Sequence, residues 1–389
     1  MRIGIIELMN SHYTLVDTLV QIFANDKNNQ VEIFINQQLK EKIQYLEKRE
    51  NVTISCRQRN ESITDFIQRI NTYNPDIQFI TTLESKLSAF LKLSHPDRSY
   101  LFIHNINNWT KKGWFTFLKE AFQLNPLQIR SFLILLKRAF LFPLYRKKIL
   151  TRILNSGGRL IVLTEKLKEQ LSEFYPPRKI HVIPYRVHDP EITDLSARNK
   201  KLRVCIPGLM NTRKRDYHSL IRMIQDNQEF YRKHVIFDLL GRFVNMERKQ
   251  EKEIIYWIKE LNEKGVEILY YQQYINSGLY DKHLAMADIL LGNLYVHLKD
   301  ETYGITKETG VIFNMIYAGK PALLPADYQV DSSLEKGIIH YDNYKELDQV
   351  IMELRKTNVI LNTLKTEAKT AAKAYTPEKI RNILQMSPA

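Results

Sequence analysis

Short runs of consecutive apolar residues alternate along this chain with stretches whose apolar positions recur every three or four residues. In the first half the short runs are RIGIIE (2–7), VEIFIN (31–36), VTISC (52–56), DIQFIT (76–81), YLFIHN (100–105), RLIVLT (159–164) and KIHVIP (179–184). Runs that are apolar throughout predict strands buried on both faces. Helical patterns such as Tyr13–Ala24 and Ile63–Tyr73 lie between the first five. Strand–helix alternation of this kind predicts βαβ units and a parallel sheet.

A polar segment, HDPEITDLSARNKK (188–201), interrupts the pattern, and the alternation then restarts. The second set of strands reads RVCIPG (203–208), VIFDLLG (235–241), VEILYY (266–271), DILLGN (288–293), PALLP (321–325) and GIIHY (337–341). Helices are predicted from about Arg215, over Met246–Lys264, Leu279–Ala287 and Gly310–Ala318, and then over Lys345–Lys356, Val359–Ala374 and Pro377–Gln385. The fold class is therefore α/β, with two doubly wound, Rossmann-like domains expected to face a cleft. Residues 1–187 form the first, 202–375 the second, and 376–389 a closing helix. In such folds ligands bind at the carboxyl ends of the strands.

Composition sharpens the picture in three places. The net charge of +14 draws the chain towards polyanions, whether nucleic acid, anionic lipid or phosphorylated ligands. Two cysteines, Cys56 and Cys205, sit in β-branched apolar runs and read as buried thiols, too few for a disulfide framework. The N-terminus opens directly on a strand with no leader pattern, so the cytoplasm is the expected compartment.

The charge is concentrated in a helical insertion at 109–155 of the first domain. From Asn105 to Asn155 there are ten Lys or Arg residues and one acid, Glu120, interleaved with Trp109, Trp114, Phe115 and further aromatics. Its most apolar stretch, FLILLKRAFLFPLY, is too short to span a bilayer, which takes about 20 apolar residues. Basic residues with Trp, Phe and Leu suit a helix lying on an anionic membrane surface, at the inner face of the cell membrane. A helical hairpin with a solvated basic edge fits the same residues. No RNP, KH, zinc or helix-turn-helix signature accompanies them, which argues against a nucleic-acid partner.

Three strand-to-helix loops in the second half carry candidate chemistry. In PGLMNTRKRDY (207–217) Gly208 ends a strand, and Arg213, Lys214 and Arg215 arrive at a helix start, a ready place for a diphosphate. In LLGRF (239–243) Gly241, followed by Arg242, lets backbone approach a ligand. In KDETYGITKETG (299–310) Thr306, Thr309 and the Gly310 amide are suited to phosphate, Lys307 adds charge, and Glu308 offers a carboxylate to sugar hydroxyls. Thr309 also reads simply as a helix cap.

On these segments the second half resembles the nucleotide-binding domain of glycosyltransferase family 4 and its GT-B relatives. The counterparts are Gly208 to Lys214, LLGRF, LAMADILLG (284–292) and GVIFNMIYAGKPALLP (310–325). The resemblance covers residues 159–389 well and the first 105 by pattern only. It implies a nucleotide-diphosphate sugar as donor substrate, no bound cofactor, and a closing helix that crosses back to the first domain. The family's two glutamates fall here on Thr306 and Asn314, leaving Glu308 as the acid at hand. Its Gly-rich first loop is replaced by ELMNSHY (7–13), where Asn10, Ser11 and His12 become acceptor-side candidates and Glu7 reads as a mere strand end. His104, ending the fifth strand, resembles the family's residue there, a catalytic candidate able to hydrogen-bond sugar or act as base.

No Asp-x-Asp triad occurs, so a metal-independent transferase is expected, with fixed cations stabilising the leaving diphosphate. The implied reaction is transfer of a sugar to a lipid-linked or otherwise membrane-bound acceptor in polysaccharide or glycolipid assembly. Two alternatives share the scaffold: a nucleotide-sugar 2-epimerase, and an anion- or nucleic-acid-binding protein without catalysis.

Overall fold

A computed structural model describes residues 1–9, 12–84, 87–110, 129–198, 200–244 and 248–385. These residues form two compact α/β units. One comprises Met1–Tyr185, Ile305–Lys307 and the chain from Pro377; the other comprises Arg186–Gly304 and Glu308–Thr376.

The first unit follows the predicted alternation. Its elements run β1 (Arg2–Glu7), α1 (Tyr13–Ala24), β2 (Gln30–Asn36), α2 (Gln37–Ile43), β3 (Val52–Arg57), α3 (Ile63–Tyr73) and β4 (Ile77–Ile80). After α4 (Leu87–Phe90) and β5 (Ser99–Phe102) come α5 (Ile129–Asn155), β6 (Arg159–Val162), α6 (Glu165–Ser172) and β7 (Ile180–Val182). The strands form one parallel sheet in the order β3-β2-β1-β4-β5-β6-β7. Ile3, Ile5, Ile33, Phe79, Leu101 and Ile161 are fully or almost fully buried in it, the reason those runs lack polar alternation. The direction of strand addition reverses between β1 and β4, so the loops after these two strands diverge and leave room for a ligand.

Local chemistry sets the element ends. Ser62 caps α3 by accepting from the Asp65 amide at 3.1 Å, and Asn74 closes it in the left-handed region at φ 49°. Cys56 is half-buried rather than buried as expected, because β3 is the edge strand of its sheet. Cys205 is fully enclosed.

The second unit repeats the scheme. It runs β8 (Leu202–Cys205), α7 (Tyr217–Asp226), α8 (Gln228–His234), β9 (Val235–Arg242), α9 (Lys249–Glu263), β10 (Glu267–Tyr271), α10 (Ser277–Met286) and β11 (Ile289–Leu291). A hairpin follows, β12 (His297–Leu298) and β13 (Glu301–Thr302), and then α11 (Gly310–Ala318), β14 (Ala322–Pro325), β15 (Ile338–Tyr341), α12 (Tyr344–Lys356) and α13 (Asn358–Ala372). Its parallel sheet has the order β10-β9-β8-β11-β14-β15, with the reversal between β8 and β11. Val204, Phe237, Ile289 and Leu323 from four neighbouring strands are fully buried in its core. The final helix, α14 (Pro377–Gln385), packs on α1 and is part of the first unit.

Of the basic insertion, residues 111–128 lie outside the described residues, and so do Asn10 and Ser11. The remainder is the long α5, with Pro143 inside it. Its C-terminal half buries Ile149, Leu150 and Ile153 and leaves Lys147 and Lys148 exposed. Arg146 is not a surface cation: it is 7% exposed, donates to the Asn108 carbonyl at 3.3 Å and lies over the Trp109 ring. No helix among the described residues is long and apolar enough to cross a membrane.

Candidate functional site

Each unit gathers polar side chains at its own point of strand reversal. In the second unit the loop after β8 is tied down before it reaches α7. Gly208 N donates to Leu240 O at 2.9 Å and Met210 N to Arg242 O at 3.0 Å, so this loop continues the pairing with β9. Gly208 needs its φ of +103°, which a side chain would strain. Gly241 has a different reason for being glycine from the one the sequence suggested. A Cβ there would lie 2.1 Å from the Gly208 carbonyl oxygen, so it admits the neighbouring loop, whatever ligand comes later. Arg242 is exposed at the end of β9.

The three cations of this loop have separate duties. Arg215, 7% exposed, donates to Pro207 O at 2.6 Å and to Asn293 Oδ1 at 3.3 Å, holding the loop to the segment that follows β11. Lys214 points its ammonium to Glu301 at 2.6 Å and remains partly exposed. Arg213 is exposed. Because β8 and β11 are adjacent, the loops carrying Lys214 and Thr309 leave the same carboxyl edge of one sheet.

Thr309 is the N-cap of α11, its hydroxyl accepting from Val311 N at 3.4 Å. The helix thus presents its N-terminal end at Gly310, electropositive as helix N-termini are. Glu308 does not stand open to sugar hydroxyls, because the buried Tyr328 hydroxyl donates to it. Asn314 is also engaged. It accepts from Arg186 at 2.9 Å and donates to Tyr280 Oη at 3.0 Å and Gly310 O at 2.7 Å. Arg186 in turn pairs with Asp281 at 2.8 Å and lies 3.2 Å over the centre of the Tyr317 ring. Where the resembled family carries a glutamate, this chain has an amide that locks a half-buried arginine. Asn314 is therefore an internal tie of the second unit.

Thr306 and Lys307, expected on the donor side, belong to the first unit. Ile106 N donates to Thr306 O at 2.9 Å, and Asn105 and Lys307 form an antiparallel bridge. They join His12, His104 and Tyr185 there. His104 sits after β5 and donates its Nε2 proton to Thr81 O at 2.6 Å, since a carbonyl can only accept. His12 stacks on it, with centroids 4.4 Å apart and planes 11° apart, and its Nδ1 lies 3.1 Å from the Tyr185 hydroxyl. Burial pushes His104 down to about 3, with the neighbouring His12 adding to it. Burial and then the Lys307 charge push His12 down to about 4. Both rings are neutral at pH 7, suited to hydrogen-bonding a hydroxyl and weak as bases.

Next to them lies Glu7, which in the sequence reads as a mere strand end. Glu7 is fully buried at the end of β1. Its carboxyl accepts from Met9 N at 2.6 Å and meets the hydroxyls of Thr81 at 2.7 Å and Thr82 at 2.6 Å. Burial raises it to about 7 against the opposing effect of these hydrogen bonds. It fixes the loop after β1 to Thr81, the residue whose carbonyl orients His104. The one available signal was the Thr81–Thr82 pair just after β4, two hydroxyls where the sheet reverses.

No family model matches the chain, and no curated protein sequence matches it either. Solved structures do. Anabaena HepE in complex with UDP aligns over 99% of this chain and 98% of its own, at a TM-score of 0.63 and 14% identity. Sucrose-phosphate synthase from Thermosynechococcus elongatus covers 99% and 97% at 0.60 and 12%. A Listeria monocytogenes protein assigned as a UDP-N-acetylglucosamine 2-epimerase covers 99% and 94% at 0.58 and 10%. Likenesses over both chains' full length at such low identity establish the fold. It is the two-domain GT-B fold, and nothing in them singles out family 4.

Proposed function

We propose that this chain is a glycosyltransferase that takes its sugar from a nucleotide-diphosphate donor held by the second unit. The observation that carries the reading is the placement of Lys214 and the α11 N-terminus on loops at one carboxyl edge of the same sheet, a cation and a helix dipole on the edge where ligands of this fold bind. The UDP bound by HepE, a protein of the same fold, supports it.

In the proposed mechanism the donor diphosphate lies against Lys214 and the first-turn amides of α11. Negative charge grows on the bridging oxygen as the sugar leaves, and these fixed groups are already aimed at it. The Arg215 anchor and the backbone ties of Gly208 keep them in place without further reorganisation. The first unit supplies the acceptor-side chemistry. His104, His12 and Tyr185 present hydrogen-bonding atoms to hydroxyl groups, and Lys307 adds a positive charge.

The acceptor in this reading is lipid-linked or otherwise membrane-bound. Its support is the basic, aromatic composition of 109–155, together with the exposed Lys147 and Lys148 on α5. The epimerase reading draws on the Listeria likeness, and one assay separates them. A transferase releases nucleoside diphosphate only when donor and a bilayer-borne acceptor are both present. An epimerase interconverts the free donor alone, and that outcome, or release with a soluble acceptor only, would overturn the proposal.

A further inference from the structure

The lysine placed at the diphosphate is not alone in this structure. Lys214 Nζ lies 2.6 Å from Glu301 Oε1, and the two side chains are 36% and 13% exposed. The cation therefore reaches outward while the carboxylate is tucked beneath it. Glu301 is fixed in place by the β12–β13 hairpin, in which it pairs with Leu298. The lysine's own carbonyl accepts from Tyr295 N at 3.1 Å, at the hairpin's entry, and the buried Tyr303 follows its exit. Lysine and carboxylate are thus held by connected backbone, so a ligand that engages Lys214 must tolerate a negative charge a few ångströms away.

That charge acts unequally on substrate and product. In a nucleotide-diphosphate sugar the terminal phosphate is esterified, and the diphosphate carries two negative charges. Once the sugar has left, the freed terminal phosphate ionises again near neutrality, adding most of a further charge. Repulsion from a fixed carboxylate scales with the ligand's charge. We infer that Glu301 is a specificity-determining residue, a counter-charge to Lys214 that favours the esterified donor over the free nucleoside diphosphate and so promotes product release. The inference rests on the donor site proposed above and assigns that site a role for a carboxylate.

The test is calorimetric titration of the full chain and of its Glu301→Gln variant. The probes are UDP, GDP and ADP and their glucose esters, at constant ionic strength and pH 7.5. For the base that binds, Glu301→Gln is expected to tighten both ligands, the free diphosphate about fivefold more than its glucose ester, since the repulsion from the one extra charge at such range amounts to about 1 kcal/mol. Glu301→Asp, which keeps the charge, should retain the wild-type ratio, and a thermal melt of each variant checks that the hairpin is intact. Equal tightening of both ligands, or weakening of both, overturns the inference while leaving the donor site standing. If the wild type binds no member of the panel, the donor site itself fails and the inference falls with it.

Discussion

Gly241→Ala should abolish the order of the loop after β8 and lower the melting temperature of the second unit by roughly 6–12 °C, from a loss of about 3 kcal/mol. The cause is geometric. The added methyl would lie 2.1 Å from Gly208 O and 2.6 Å from its carbonyl carbon, and both are backbone atoms that no rotamer change can clear. Relief requires β9 and the Gly208 segment to separate. That breaks the Gly208–Leu240 and Met210–Arg242 hydrogen bonds and shifts Lys214 with them. Nucleotide affinity should fall in step with stability. Gly278→Ala is the control, because its Cβ would meet only a side-chain oxygen at 3.7 Å. A Gly241→Ala protein that melts and binds like the wild type would show that this close approach does not exist.

The second large effect is a pH dependence centred on Glu7. Burial lifts its carboxyl from the ordinary 4.5 to about 7, so the folded chain keeps a proton that the unfolded chain loses near 4.5. Between those values the folded state binds more protons, and Glu7's contribution to stability falls as pH rises through the window. The total is about 3 kcal/mol, present in full below 4.5 and lost by about pH 7. Geometry agrees with a neutral carboxyl. The Thr81 hydroxyl lies 2.9 Å from Ile6 O and 2.7 Å from Glu7 Oε2, and its single proton serves both only if Glu7 supplies one of its own. Glu7→Gln keeps an acceptor for Met9 N and donors for the threonines while removing the titration. Its stability relative to wild type should rise by about 3 kcal/mol between pH 4.5 and 8, read as a difference in melting temperature of roughly 6–12 °C. Parallel wild-type and variant curves would contradict a proton-holding Glu7.

Much of this architecture could be read from the residues because burial on both faces of a parallel sheet leaves a local mark. RIGIIE, VEIFIN and VIFDLLG are apolar without alternation, and each is a strand. The loops were legible in part. Gly208, Lys214 and Thr309 stand at strand-to-helix junctions, visible as glycine, charge and cap in sequence. What their side chains touch was not visible, since those partners come from distant segments. Glu301 reaches Lys214 from a hairpin of two-residue strands, too short to leave a periodic signal. Thr306 and Lys307 look like neighbours of Thr309 yet pair with Asn105 and Ile106 of the first unit, through backbone contacts that carry no side-chain signature. A glutamate closing a strand reads the same whether it meets solvent or two buried threonines, which is how Glu7 passed for a strand end. Asn314 illustrates a further gap. Its place in a family pattern suggested ligand contact, whereas Arg186, Tyr280 and Gly310 O occupy its amide.

The measurement closest to the centre of this account is the calorimetric affinity of wild-type and Lys214→Ala chains for a nucleoside diphosphate, taken from the same panel. Loss of a charge-assisted contact to phosphate predicts binding weaker by about tenfold to a hundredfold, with the melting temperature without ligand little changed. Wild-type binding that survives Lys214→Ala undiminished would place the diphosphate elsewhere and contradict the donor site described for the second unit.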